Sequence, residues 1–125
     1  MWTYVQSTGQ LLTVDDGGWK VVGTGYSGKG EHKNDPGSQA LHNLGPIPRG
    51  FYTIGPPVNS ETHGPFCLPL IPDASNAMFG RAFFLIHGDS KQHPGEASEG
   101  CIIQNRATRE AVWNSGDRRL QVVPN

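Results

Sequence analysis

Apolar side chains come along this chain in short clusters closed by glycine, proline or paired acids, and each cluster is about as long as one strand. Residues 2–6 and 10–14 read as a hairpin turned at Ser7, Thr8 and Gly9. Asp15-Asp16-Gly17-Gly18 then sends the chain back into a third strand at residues 19–22. The aromatic residues of these strands are expected in the core. Residues 23–50 are polar and irregular, and a loop of that length in a small domain is commonly functional, so contact with a substrate is expected of it. Pro46 and Pro48 stiffen the approach to a strand at residues 51–54. Residues 55–79 hold five prolines and read as a wandering connection with a short strand near 66–70. Residues 81–86 read as a strand that delivers His87, and Cys101 opens a further apolar run. Helical patterning is convincing only in residues 105–116. Asn105 would cap that helix, Gly116 would end it, and Ala107, Ala111 and Trp113 would face inward. A last strand falls at residues 120–123. Together these elements predict a mainly β fold with one short helix after the cysteine, in a single domain spanning residues 1–125.

Composition narrows the partners. The 17 glycines and 10 prolines fit many turns and short strands. A net charge of −1 gives no basis for binding nucleic acid or an anionic membrane, and no apolar run approaches the roughly 18 residues a spanning helix needs. The first six residues carry neither a basic stretch nor a long apolar one, so they do not read as a secretory signal, and a substrate outside the cytoplasm would require another delivery route. The glycine-rich tract at residues 23–30 lacks the Gly-Lys-Ser/Thr ending and following helix of a phosphate loop. No cofactor is implied.

The chemistry-bearing stretches are Phe83-Phe84-Leu85-Ile86-His87-Gly88-Asp89 and Ser98-Glu99-Gly100-Cys101-Ile102-Ile103. Two strands of this kind bring an imidazole and a thiol to one edge of a sheet, where the imidazole can take the thiol proton and later return it to a leaving group. Cys101 is the expected nucleophile and His87 the expected base and acid. Gly100 permits a tight turn and lets a substrate carbonyl approach the main-chain amides of Gly100 and Cys101. A buried, inert cysteine is the plainer alternative, but the polar approach Ser-Glu-Gly-Cys puts the sulfur at a strand entrance. A bridge between Cys67 and Cys101 would consume the nucleophile, and one bridge is no disulfide framework. Arg49 either binds a carboxylate or is merely solvated. A zinc site from His87, His93 and Cys101, with His63 as a further ligand, is a rival reading, although no Cys-x-x-Cys or His-Glu-x-x-His accompanies it.

Three blocks resemble the L,D-transpeptidase-like (YkuD-related) enzymes, most closely the short branch among type VI secretion effectors that attack peptidoglycan. They are Gly25-Tyr26-Ser27-Gly28 with Asn34 and Pro36, Gly45-Pro46-Ile47-Pro48-x-Gly50-x-Tyr52, and Ile86-His87-Gly88-Asp89 followed by Ser98-x-Gly100-Cys101-Ile102. The resemblance implies a β-sandwich or barrel-like catalytic domain acting on tetrapeptide stems of peptidoglycan, as an L,D-carboxypeptidase or an L,D-transpeptidase that exchanges D-amino acids. It also implies Tyr26, Ser27 and Asn34 near the substrate. This chain has Glu99 before Gly-Cys and Ile103 two residues after the cysteine, where many relatives carry histidine and arginine. The carboxylate-binding group is therefore open among Arg49, Arg81 and Arg106, and the group orienting His87 among Asp89, Ser98 and a main-chain carbonyl. A monomer acting in the bacterial periplasm is expected, delivered by a specialised secretion system or by phage lysis, with an immunity protein as a further expected partner. The alternatives are a non-catalytic wall-binding module using Trp19, Tyr26 and Arg49, and a zinc-dependent peptidoglycan hydrolase.

Overall fold

A computed structural model describes all residues, 1–125. The hairpin expected at the N-terminus forms from β1 (Trp2–Val5) and β2 (Gln10–Asp15), and β3 (Gly18–Thr24) follows across the glycine turn. After the long loop come β4 (Gly50–Ile54), β5 (Val58–Ser60), β6 (Gly64–Pro72), β7 (Phe84–His87) and β8 (Ile102–Ile103). Helix α1 (Arg106–Asn114) and β9 (Arg119–Val123) close the chain. The strands build one sheet in the order β3-β2-β1-β9-β4-β6-β7-β8, with β5 paired to β6, and the sheet curls into a half-barrel. The fold is mainly β with one α-helix near the C-terminus.

The last strand is the middle of the sheet. β9 runs parallel to β1 and antiparallel to β4, so in the order of the sheet it joins the N-terminal meander to the strands that carry the site. Its inward residues Leu120 and Val122 pack with Trp2, Tyr4, Tyr52, Ile54, Leu68, Leu70, Ile86, Ile102 and Val112 in one cluster. Full burial of each such aliphatic side chain contributes roughly 1.5–3 kcal/mol, which is what holds short strands against their chain entropy.

Four local expectations are corrected. β6 is a nine-residue strand where a short one near 66–70 was expected, in spite of Pro65, Pro69 and Pro72. Each neighbour pairs with only part of it, and Pro69 sends its carbonyl to Gly55 N–H beyond the β4 ladder, so the N–H that proline lacks is not needed. β7 begins at Phe84 and not at Arg81, because the chain turns at Met78–Arg81 and Phe83 takes φ of 66°. Helix α1 is capped by Asn105 as expected, but it buries Thr108, Arg109 and Val112, while Ala107 and Ala111 face outward. Arg109 can lie inward because main-chain carbonyls receive its guanidinium. Trp19 is 67% exposed, since β3 is an edge strand with nothing packed over it.

Candidate active site

β7 ends at His87, and β8 lies parallel to it with Ile86 beside Ile102 and His87 beside Ile103. Cys101 therefore enters the sheet alongside Leu85, whose N–H points at Sγ from 3.4 Å, and the thiol faces the Phe83 carbonyl at 4.0 Å. Cys101 and His87 line one open cleft with Asp89, Gly100, Arg81, Arg106 and Arg109. Both cysteines are free thiols.

The His87 ring is 2% exposed. Its Nδ1 lies 2.8 Å from the Gly88 carbonyl, and since a carbonyl only accepts, Nδ1 carries the proton. Nε2 is left as the basic nitrogen and has no partner in the protein. Burial lowers the pKa of this imidazole from 6.5 to about 4; His63 and Arg109 push the same way, and the Gly88 carbonyl and Asp89 oppose them. The ring is neutral at physiological pH. Burial also raises the Cys101 thiol above its ordinary value, against the Leu85 amide and the Arg81 charge that favour the thiolate. The resting pair is thus a thiol and a neutral imidazole, with no hydrogen bond joining them.

The residues behind this pair are a clamp. Ser98 is buried; its Oγ accepts from Gly28 N–H (2.9 Å) and Gly100 N–H (3.1 Å) and donates to the Cys101 carbonyl (2.6 Å). Ser27 donates to the Gly100 carbonyl and accepts from Ile47 N–H. Asn34 exchanges two hydrogen bonds with the Ser27 main chain. Tyr26 bridges to Ile103 through its backbone and donates its hydroxyl to Asp89 at 2.6 Å. These side chains tie the 23–50 loop to the cysteine loop, and Tyr26, Ser27, Asn34 and Ser98 do not line the cleft. Asp89 accepts from Tyr26, Ser90 and Gly95, so it organises its own loop and makes no hydrogen bond with His87. Burial raises the Asp89 carboxyl, but those hydrogen bonds together hold it below the ordinary range.

Gly100 adopts φ of 147°, and a Cβ there would come within 2.5 Å of Arg81 Nη2 and 2.9 Å of the Phe84 ring. Its N–H is already given to Ser98, whereas the Cys101 N–H makes no hydrogen bond within the protein, which leaves the Cys101 amide as the free donor beside the sulfur. Arg81 is buried and donates to four main-chain carbonyls, those of Gln39, Pro46, Gly45 and Glu99. Arg106 pairs with Glu110 at 2.8 Å over the Phe66 ring. Arg49 is exposed and lies outside the cleft, as does Trp19. No three of the histidine, cysteine and acidic side chains converge as metal ligands, and His93 is exposed beside Glu96, so the residues of the zinc reading do not form a ligand set. Arg109 and His63 are cleft residues that motif reading passed over or placed elsewhere. A buried arginine on a helix and a turn histidine carry no pattern of their own.

The class that emerges is a cell-wall-directed effector of type VI secretion. The chain belongs to the Tlde1 domain family, whose family model matches residues 22–124 and which is L,D-transpeptidase-like. No curated protein and no solved structure gives a significant match to it. The matched region covers β4 to β9, the helix and the whole cleft, while β1 and β2 precede it and meet the cysteine strand at Gly9, whose carbonyl accepts from Gln104 Nε2. No helix is long and apolar enough to cross a membrane.

Proposed function

We propose that the chain is a cysteine-dependent acyl transferase that shortens or exchanges tetrapeptide stems of peptidoglycan. The observation that carries this reading is His87: a buried, neutral imidazole whose Nδ1 proton is fixed by the Gly88 carbonyl and whose Nε2 is unspent, in the same cleft as the Cys101 thiol. As Sγ attacks the carbonyl carbon of the third, diamino-acid residue, its proton passes to Nε2 and the carbonyl oxygen becomes an oxyanion facing the Cys101 N–H. Collapse breaks the C–N bond to the terminal D-alanine, which takes the proton from Nε2 and leaves as a free amino acid. The thioester remains on Cys101. An acceptor then gives its proton to Nε2 and attacks the thioester carbonyl, the S–C bond breaks, and the sulfur recovers the proton. Water as acceptor yields a tripeptide stem, and an amine yields exchange or a cross-link. Removing or capping donor stems in a competitor's wall suits an effector, and the producing cell would need an immunity protein that occludes the cleft.

Mass spectrometry of purified tetrapeptide muropeptides, incubated with the protein and with Cys101→Ala, tests this. The expected result is conversion to tripeptides, or exchange of the terminal D-alanine, by the wild type alone. Muropeptides left intact by both proteins would overturn the reading in favour of a binding module.

A further inference from the structure

Three arginines contribute to the cleft, and they differ in what their guanidinium groups still have to offer. Arg81 has spent both terminal nitrogens on four carbonyls. Arg106 is half exposed and held by Glu110. Arg109 is only 6% exposed, and its Nε donates to Gln104 O while Nη1 donates to Pro65 O and Phe66 O, both at 2.8 Å. Its Nη2 makes no hydrogen bond with the protein and is not sealed from solvent. No carboxylate of the chain is in ion-pair contact with it; Asp89 is committed to Tyr26, Ser90 and Gly95. The free arm lies against Gly88, 2.9 Å from where a Cβ at that position would stand, one residue from His87.

A cation fixed by three main-chain acceptors, with one arm of its planar fork unspent, is a preorganised carboxylate site. Its position selects which carboxylate. His87 must hand its proton to the departing nitrogen, so the leaving group lies on the His87 side of the scissile bond. In a one-residue leaving group the carboxylate is separated from that nitrogen by a single α-carbon. Resting on the acyl-transfer reading above, we infer that Arg109 Nη2 binds the terminal carboxylate of the departing D-alanine, and that Gly88 lacks a side chain so that this carboxylate can reach the arm. The enzyme then requires a stem that ends one residue past the cleaved bond, as a free acid.

The test compares kcat/KM for a free-acid tetrapeptide muropeptide with that for the same compound bearing a C-terminal D-alaninamide, which is neutral and nearly the same shape. The wild type is expected to prefer the acid by roughly tenfold or more. Arg109→Lys, which keeps the charge but not the fork, is expected to lower turnover of the acid more than that of the amide, so that the acid-to-amide ratio falls toward one. Gly88→Ala, which crowds Nη2 without touching the three carbonyl bonds, is expected to lower the acid-to-amide ratio as well, so the test stands if Arg109→Lys does not fold. Equal turnover of acid and amide by the wild type, or equal losses on both substrates in folded variants, overturns the inference while the acyl-transfer reading survives. Turnover of neither substrate by the wild type sinks both.

Discussion

The imidazoles of His63 and His87 lie with ring centroids 4.5 Å apart and planes tilted by 31°. An exposed side chain from the turn between β5 and β6 thus covers the ring that the proposed chemistry uses. His63→Ala should raise the His87 pKa from about 4 toward 6.5, because water regains access and a neighbour that disfavours the imidazolium is gone. Titration of the ring protons by NMR checks this, and the acid limb of kcat/KM should move upward in step. An unchanged midpoint would mean that His63 only rests on the surface.

The same depression links stability to acid. The unfolded chain binds the His87 proton near pH 6.5 and the folded chain near 4, so stability present above pH 6.5 is lost as pH falls through that window. The interval corresponds to about 3 kcal/mol at its lower end. The carboxyls of Asp73, Asp89 and Asp117 are held low and act below this window. Urea unfolding at pH 7 and pH 4.5 should show the loss in the wild type and much less of it in His87→Gln.

Arg81 joins the carbonyls of Gln39, Gly45, Pro46 and Glu99, which draws two long loops together behind the cysteine. Arg81→Met leaves those acceptors without donors and should destabilise the fold by about 3 kcal/mol or more. Thermal and urea unfolding measure it. A loss below about 1 kcal/mol would show that water substitutes for the guanidinium.

Phe83, next to the Sγ contact, is 97% exposed at a left-handed φ of 66°. A bulky residue in that region carries strain on the order of 1 kcal/mol and here has no packing to offset it. Phe83→Gly should therefore leave urea stability unchanged or raise it by up to about 1 kcal/mol. A clear loss of stability would point to packing that the exposed ring does not suggest. Strain kept beside the proposed nucleophile fits a residue on the rim of the cleft.

Much of this architecture could be read along the chain because its cues are local. Alternating or clustered apolar side chains mark β1 and β2, the approach through Pro46 and Pro48 marks β4, the Asp-Asp-Gly-Gly turn marks the return into β3, and Asn105 marks the start of α1. The proximity of Cys101 and His87 was also legible, since an apolar run ending in histidine and another opening with cysteine enter one sheet edge side by side. Ser98 illustrates the limit. Its place in the motif was visible, but its three partners, Gly28 N–H, Gly100 N–H and the Cys101 carbonyl, are main-chain groups with no signature in side-chain identity.

The amino-acid order alone is enough for a mainly β chain with one helix and a thiol and imidazole at a sheet edge, because strand period, turn chemistry and motif spacing act over a few residues. Folding in three dimensions chose the Gly88 carbonyl over Asp89 as the partner of His87, buried Arg81 and Arg109 among carbonyls, and put β9 between β1 and β4. Each of those outcomes depends on which distant backbone acceptor lies within hydrogen-bond reach, and on which face of a helix or sheet the core covers. Those distances exist only once the sheet has curled.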